Sequence, residues 1–342
     1  MRKLAFAFTQ LHLINLINMR TSLYKDDDMD LIAFSPSCTG ALDVLERLEE
    51  REVFNRVLVL ENYYPNAKGI NKIYYRLKEL ITAKKNKCKI SQFVKDFKYD
   101  EFFSYGSNME AYITYSEISR ENDVSFVVYE EGIGTYWHKL SNVLRPWHTA
   151  TLKILGVSIP DLPNRLMVYV PELLVIDIPE SVEVVNIPKL KCKDLINELW
   201  NYKPTNKFGP YNTICFEQPV KNSAFQAELF RHFDRKTTVV KMHPRSPYSE
   251  LYSDMNIMEK SGTIWEIECM NGDFSEKSLV SFFSTACLTP KMMFDCEPEV
   301  IFLEQLLHGE FNDDMFVSLV EKFRSIYSDS RRVRVPHSID DL

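Results

Sequence analysis

Residues 124–129 read Val-Ser-Phe-Val-Val-Tyr, and Glu130, Glu131 and Gly132 follow them directly. A run of β-branched and aromatic residues with almost no polar interruption predicts a strand buried on both faces. Such strands are typical of parallel sheets that are covered by helices on both sides. The sequence on either side should therefore alternate between strands and helices.

Short apolar runs do alternate with helical patterns along the chain. Strands separated by helices predict right-handed crossovers and parallel sheets. The predicted strands are 4–8, 31–34, 53–60, 94–97, 102–103, 124–129, 166–170, 182–185, 213–216, 237–242, 263–267 and 279–283. The predicted helices are 41–51, 71–83, 111–120, 223–233, 302–307 and 315–327, and a further helix is expected to start near Thr9.

A chain of 342 residues is long enough for two domains. The strongest linker signal is residues 203–210, Lys-Pro-Thr-Asn-Lys-Phe-Gly-Pro. We predict a Rossmann-like domain over 1–203, a second over 204–325, and a loosely held polar tail over 326–342. Two such α/β halves describe the GT-B fold, in which parallel sheets face a central cleft and ligands bind at the carboxyl ends of the strands.

Composition excludes several classes of protein. Hydrophobic residues make up 45% and charged residues 26%, which is the mix of a globular protein rather than a disordered one. A net charge of −7 argues against a nucleic-acid partner. Ten glycines are few for an enzyme built on Gly-rich phosphate loops, and seven scattered cysteines without a CxxC pair favour free thiols in a reducing cytoplasm.

The N-terminal apolar run, Leu4 to Phe8, has two interpretations. A signal peptide would need a longer apolar core and a small-residue cleavage site, whereas Thr9 and Gln10 end this run. We therefore predict a buried strand over residues 3–8. Because the sequence contains no run of 18 apolar residues, no membrane-spanning helix is expected either.

Three strands of the prediction are each followed by residues that carry chemistry. The motifs are Glu130-Glu131-Gly132, His243-Pro244-Arg245 and Ser284-Thr285. Each has an ordinary explanation by itself: a solvated acidic turn, a structural histidine and a helix N-cap. Together they supply a carboxylate base, an imidazole and a hydroxyl-rich phosphate site at the ends of parallel strands, which is the set that a group-transfer enzyme needs.

The order and spacing of these motifs resemble those of bacterial sialyltransferases of glycosyltransferase family 52 and of bacterial polysialyltransferases. Four further stretches fit the resemblance: Phe8-Thr9-Gln10-Leu11 followed by Ile14-Asn15, residues 214–219 (Ile-Cys-Phe-Glu-Gln-Pro), Trp265-Glu266, and residues 288–298. The chain departs from the pattern at Glu130-Glu131, where many relatives carry Asp.

The resemblance implies a CMP-sialic acid donor and transfer with inversion to a terminal sugar, with galactose the expected acceptor, in a bacterial lipooligosaccharide or capsule. It assigns Glu130 as the general base, with Glu131 and Gly132 supporting it. His243 would face the phosphate of the departing CMP. No metal and no cofactor are expected, because the leaving group carries a single phosphate.

The remaining site residues follow from the same resemblance. Ser284, Thr285 and Pro244 would hold the CMP phosphate, and Glu266 would accept hydrogen bonds from the ribose. Gln10 and Gln218 are candidate substrate contacts.

Two kinds of charged stretch lie outside these motifs. The string Asp26-Asp27-Asp28-Met29-Asp30 contains a DxD pattern but precedes a strand, so we interpret it as a solvated loop rather than a metal site. The basic stretches 84–89 and 331–334 would let the enzyme dock on anionic lipid at the inner face of the cell membrane.

Two alternatives to a monosialyltransferase stay open. One is a polysialyltransferase that extends sialic acid chains. The other is a catalytically silent glycan-binding or assembly protein of the same fold. Sequence alone determines neither the linkage (α2,3, α2,6 or α2,8) nor the oligomeric state.

Overall fold

The computed structural model describes the whole chain except residues 36–40, 62–71, 107, 139, 141–143, 244, 245, 247, 248, 259–263 and 308–313. The described residues form two compact units. The first comprises Met1–Glu131, His138–Pro171 and Asp177–Pro188, and the second comprises Gly132–Trp137, Glu172–Ile176 and Lys189–Leu342. The prediction put the domain boundary at residue 203. In the structure the last segment of the second unit already begins at Lys189, so the linker-like stretch 203–210 lies inside that unit.

Strands and helices alternate along most of the chain. The strands are β1 (Arg2–Ala7), β2 (Asp28–Ser35), β3 (Arg56–Glu61), β4 (Glu101–Ser104), β5 (Ser125–Tyr129), β6 (Arg165–Val168), β7 (Glu183–Asn186), β8 (Thr213–Phe216), β9 (Thr238–Lys241), β10 (Asn256–Met258), β11 (Ser278–Ser281), β12 (Glu299–Phe302) and β13 (Val333–Arg334). The helices are α1 (Gln10–Ser22), α2 (Ala41–Glu50), α3 (Lys72–Val94), α4 (Met109–Ile118), α5 (Gly134–Trp137), α6 (Pro146–Ile154), α7 (Lys193–Leu199), α8 (Ser223–Phe230), α9 (Trp265–Asn271), α10 (Thr285–Phe294) and α11 (Asp314–Ser325).

The first unit contains a seven-stranded sheet in the order β3-β2-β1-β4-β5-β6-β7, and each of its strand pairs is parallel. Leu4, Phe102 and Val127 are among the strand residues with no exposed surface, as a sheet covered on both faces requires. The short strands β6 and β7 extend this sheet at its edge. All carboxyl ends therefore lie along one edge, where Glu130 and Glu131 follow β5.

The aspartate string begins β2 rather than forming a solvated loop, so that interpretation is wrong for Asp30. Asp30 is fully buried, and its carboxylate accepts hydrogen bonds from Arg56 Nη2 at 2.7 Å and Tyr99 Oη at 2.6 Å. Arg2 Nη2 lies 2.9 Å from the other oxygen. A buried carboxylate needs such partners to offset its lost hydration. Asp30 therefore forms a structural ion pair with the two arginines.

The second unit contains a six-stranded sheet in the order β10-β9-β8-β11-β12-β13, again parallel in each of its strand pairs. Its core includes Cys215, Val280 and Ile301 from the central strands. The tail is not loosely held: β13 pairs with β12 through Val300 opposite Val333, and Leu342 packs against the core. Polarity alone misled the prediction here, because an edge strand keeps one side solvated.

Three elements differ from the sequence prediction. Helix α3 continues to Val94, where the prediction is a strand over 94–97. Residues 265–271 form α9, where the prediction is a strand over 263–267; residue 263 itself lies outside the described part of the chain. Strand β12 ends at Phe302, and the helix predicted over 302–307 is a shorter 3-10 helix over Glu304–Leu307. Short apolar runs do not distinguish a buried strand from a buried helical turn, which explains these errors.

Among the described residues, none of the helices combines the length and the apolar character that a membrane span requires.

Candidate functional site

Glu130 lies at the end of β5 with its side chain turned into the first unit. It is 4% exposed, and its Oε2 accepts a hydrogen bond from the backbone N–H of Tyr169 at 2.9 Å. Its own backbone N–H donates to the carbonyl oxygen of Met167 at 2.9 Å, which continues the β5–β6 pairing by one residue. The carboxylate therefore joins two neighbouring strand ends.

A buried polar network holds this strand end in place. Asn15 Nδ2 on α1 donates to the carbonyl oxygen of Glu130 at 2.8 Å. The hydroxyl of Tyr169 donates to Asn15 Oδ1 at 3.0 Å and accepts from Asn18 Nδ2 at 3.3 Å. Buried hydrogen-bond networks that satisfy each member favour one conformation of the groups they contain.

Glu131 points the other way, as alternation along an extended chain requires. The residue is exposed, yet the protein mass around it raises the pKa of its carboxyl group to about 7. Burial is the cause, because partial loss of hydration disfavours the ionised form. A solvent-accessible carboxyl group with a pKa near neutrality has the property that general acid–base catalysis needs. The sequence analysis gave the role of general base to Glu130 and only a supporting role to Glu131.

Gly132 makes the turn that carries the chain from Glu131 into α5. Its φ is +130°, and a Cβ atom built on it would lie 2.9 Å from Oγ1 of Thr285. The next residue, Ile133, donates its backbone N–H to the same Thr285 Oγ1 at 3.0 Å. The second unit thus places the turn of the Glu-Glu-Gly motif against the Ser-Thr motif.

We expect Gly132→Ala to lower the free energy of unfolding by about 2–6 kcal/mol. Positive φ costs a side chain roughly 1–3 kcal/mol, and the collision with Thr285 adds an overpacking cost of similar size. Urea unfolding followed by circular dichroism measures this loss of stability.

Gly106 is the matched control, because its φ is +129° and a Cβ atom added there would have no other atom within 4 Å. Gly106→Ala should carry the backbone cost alone. Adding Thr285→Ala to Gly132→Ala should recover part of the lost stability. Equal losses in the two alanine variants would show that the contact with Thr285 does not constrain the turn.

His243 follows β9 by two residues and is held through its backbone. Its N–H donates to Glu217 Oε2 at 2.9 Å, and Ser246 Oγ donates to Glu217 Oε1 at 2.8 Å. Ser246 N–H closes the turn on the carbonyl oxygen of His243 at 2.9 Å. The imidazole is partly exposed, whereas Glu217 is buried. Pro244, the other residue of the His-Pro motif, lies outside the described residues.

Ser284 and Thr285 begin α10 at the end of β11. Ser284 is the N-cap, and its hydroxyl accepts from the backbone N–H of Ala286 at 3.2 Å. Gln218 fixes the chain just before them, since its Oε1 accepts from the N–H groups of Phe282 and Phe283 at 3.0 Å each. Gln218, which the sequence analysis named as a candidate substrate contact, is buried. Its side chain positions the Ser-Thr motif.

Glu266 lies in the first turn of α9 in a partly buried, charged environment. Burial raises the pKa of its carboxyl group, and the nearby Lys241 opposes that rise. Lys241 ends β9, and burial lowers the pKa of its ammonium group. Glu268, two residues further along α9, forms an ion pair with Lys207. This end of the second sheet is therefore polar and mixed in charge.

Gln10 begins α1 three residues after the end of β1 and is buried. His12, two residues further, accepts a hydrogen bond at Nδ1 from the N–H of Phe8 at 3.2 Å and stacks on Tyr105 with ring centroids 4.0 Å apart. Burial lowers the pKa of His12 to about 3, so it stays neutral. This end of the first sheet is a tightly packed turn.

Two positioning residues were missed by the sequence reasoning: Glu217, which holds His243, and Tyr169, which holds Glu130. Glu217 had a usable signal, since a carboxylate directly after a buried strand is costly without donors. Tyr169 had none, because its contacts join residues far apart in the chain. Among the described residues, no group of three or more His, Cys, Asp or Glu side chains is arranged to hold a metal ion.

No protein-family model matches the chain, and a search of curated protein sequences finds no match. Solved structures do resemble it over nearly its whole length. S. aureus MnaA in complex with UDP is 13% identical, with 100% of this chain and 91% of that chain covered and a TM-score of 0.53. Arabidopsis thaliana UGT89C1 complexed with UDP is 10% identical, with 99% and 88% covered and a TM-score of 0.53. The N-terminal domain of Candida albicans trehalose-6-phosphate phosphatase is 8% identical, with 95% and 93% covered and a TM-score of 0.50.

At these identities the likeness shows the fold alone. The chain has two Rossmann-like units with parallel sheets of seven and six strands, which is the GT-B fold of nucleotide-sugar glycosyltransferases. The α/β fold class predicted from the sequence is thereby confirmed. The comparisons do not single out the sialyltransferases within that fold.

Proposed function

We propose that the chain is an inverting sialyltransferase that transfers sialic acid from CMP-sialic acid to a terminal galactose of a surface glycan. The observation that carries the proposal is the hydrogen bond from Ile133 N–H to Thr285 Oγ1 at 3.0 Å. It joins the turn after the acidic pair to the hydroxyl motif at the start of α10. The candidate base is thus two residues from a contact with the candidate phosphate site.

In this proposal Glu131, rather than Glu130, is the general base. The carboxylate of Glu130 accepts a hydrogen bond from the N–H of Tyr169 inside the first unit. Glu131 is exposed, and its pKa of about 7 leaves a large ionised fraction at neutral pH. The ionised carboxylate would take the proton from the acceptor hydroxyl as that oxygen attacks the anomeric carbon. Glu130 would then be a positioning residue that fixes the strand end.

The donor's phosphate would be held by His243 and by the hydroxyls of Ser284 and Thr285. Thr285 Oγ1 accepts from Ile133 and keeps its own proton to donate. Ser284 is the N-cap of α10, and backbone N–H groups at a helix N-terminus favour an anion. Donors that are already in place when charge develops on the leaving phosphate stabilise the transition state without reorganisation. Glu266 would accept from the ribose hydroxyls, as the resemblance implies.

The choice of CMP-sialic acid comes from the resemblance in the three motifs. A single phosphate on the leaving group also suits a site whose described residues offer an imidazole and two hydroxyls. An assay of CMP release from CMP-sialic acid with galactose-terminated oligosaccharides tests the proposal directly. Turnover of UDP-sugars instead, or tight CMP binding without transfer to any acceptor, would contradict it.

We expect treatment with EDTA to leave the rate of CMP release unchanged within about twofold. Imidazole and hydroxyl donors can neutralise one phosphate without a Lewis acid. The rate is measured before and after dialysis against chelator, and again after adding Mg²⁺ or Mn²⁺. Loss of activity that either ion restores would show that the reaction uses a bound metal.

A further inference from the structure

Helix α3 presents an apolar stripe to solvent, which is unusual for a helix whose other side is already buried. Ala83, Asn86 and Ile90 lie on its buried face. On the opposite face Tyr74 is 49% exposed, Leu77 is 52% exposed and Ile81 is 66% exposed. Their spacing of three and four residues puts these side chains in one line along the helix. Exposed apolar side chains that are aligned in this way mark an interaction surface.

Basic residues border the stripe on both sides. Helical geometry places Lys78 and Lys85 along one border and Lys84 along the other. Cys88 is exposed and continues the stripe by two turns. The sequence of α3 contains six lysines and Arg76 but a single acidic residue, Glu79. Glu79 is buried on the opposite side of the helix. Its carboxylate accepts a hydrogen bond from Trp147 Nε1 at 2.8 Å and lies 2.9 Å from His148 Nε2.

Helix α6 is hydrogen-bonded to α3. Lys87 donates to the carbonyl oxygen of Leu155, directly after α6. Ile154, the last residue of α6, is 65% exposed. The end of α6 therefore also carries an exposed apolar side chain.

We propose that this face of α3 docks on an anionic phospholipid bilayer. Apolar side chains would enter the interfacial region while the bordering ammonium groups contact lipid phosphates, as surface-bound amphipathic helices do. Charge complementarity selects this partner, because α3 is locally cationic although the chain carries a net charge of −7, so an anionic surface attracts this helix rather than the chain as a whole.

The inference does not depend on the proposed transfer reaction, and a flotation assay tests it with the full chain. Vesicles of phosphatidylcholine with added phosphatidylglycerol should carry the protein, whereas vesicles of phosphatidylcholine alone should carry far less. Salt at about 0.5 M should release it, because the ionic part of the attraction is screened.

Two double variants separate the apolar and ionic parts. Lys84→Gln with Lys85→Gln should weaken vesicle binding about 25-fold, since each lysine near the surface contributes about fivefold. Leu77→Ser with Ile81→Ser should weaken it at least about tenfold. Lys221→Gln with Lys236→Gln removes the same charge from exposed positions of the second unit and should change binding less than about twofold. All these side chains are exposed, so the variants should fold, as circular dichroism checks.

Three results would overturn the inference. The first is no flotation of the unmodified chain with anionic vesicles. The second is flotation that the two α3 variants leave unchanged. The third is a concentration-dependent dimer that Leu77→Ser with Ile81→Ser dissociates, because the stripe would then be covered by a second copy of the chain.

Discussion

Glu131→Gln should lower kcat by about 10²–10⁴-fold, while the adjacent Glu130→Gln should lower it less than about tenfold. The first substitution removes the exposed carboxylate that can accept a proton. The second keeps an oxygen that can still accept from the N–H of Tyr169. The two variants are matched in size and chemistry and differ by one position. CMP release measured with each variant distinguishes the two candidate bases.

The pH dependence of the reaction gives an independent test of the same assignment. A general base works only when it is ionised, so kcat/KM should fall as the pH drops below about 7, the pKa to which burial raises Glu131. Glu131→Gln should abolish this acidic limb. A greater loss in Glu130→Gln, or an acidic limb that survives in Glu131→Gln, would return the catalytic role to Glu130.

The folding stability should also depend on the ionisation of Glu131. Whereas kcat/KM should rise with pH, the stability should fall as the pH rises. A carboxyl group whose pKa is raised by folding binds its proton more tightly in the folded chain. The stabilisation that the protonated carboxyl group gives to the folded chain is complete below the unfolded-state pKa and is lost as the pH rises through about 7. Glu131→Gln should therefore raise the thermal midpoint at about pH 8 and leave it nearly unchanged at about pH 4.5.

His243→Ala should lower kcat by about 10²–10³-fold, because a donor aimed at the leaving phosphate would be lost. Glu217→Ala should lower kcat by a comparable factor without removing the imidazole. It leaves the N–H of His243 and the hydroxyl of Ser246 without their shared acceptor, so the turn that carries the imidazole loses its anchor. CMP release and CMP binding are measured for both variants.

Glu217→Gln is the conservative control for this pair. Its amide oxygen can accept from His243 N–H, and its amide nitrogen can donate to Ser246 Oγ, so most activity should return. Unimpaired turnover in His243→Ala would remove the imidazole from the proposed mechanism. Full activity in Glu217→Ala would show that the turn keeps its geometry without the carboxylate.

The sequence predicted the elements whose patterns are local. Strand β5 is predicted over 124–129 and observed over Ser125–Tyr129, and the helix expected near Thr9 begins at Gln10 with Thr9 as its N-cap. Continuous apolar runs and a capping hydroxyl are properties of neighbouring residues, so no tertiary information is needed to recognise them. The α/β alternation that defines the fold class follows from the same local patterns.

The orientation of the two glutamates could not be predicted in the same way. Alternation along the strand requires that Glu130 and Glu131 point in opposite directions, but not which of them faces inward. Tyr169, 39 residues further along the chain, decides it by donating its N–H to Glu130. Similarly, the tail could not be recognised as an edge strand until β12 was in place beside Val333.

The amino-acid sequence by itself determined that the chain forms two α/β halves and that acidic, imidazole and hydroxyl residues follow their strands. Only the tertiary structure decided which carboxylate stays accessible, that Gly132 packs on Thr285, and that Glu217 holds the turn of His243. The physical reason is that strand and helix patterns arise between near neighbours, whereas burial and hydrogen-bond partners depend on residues that meet only after the chain has folded.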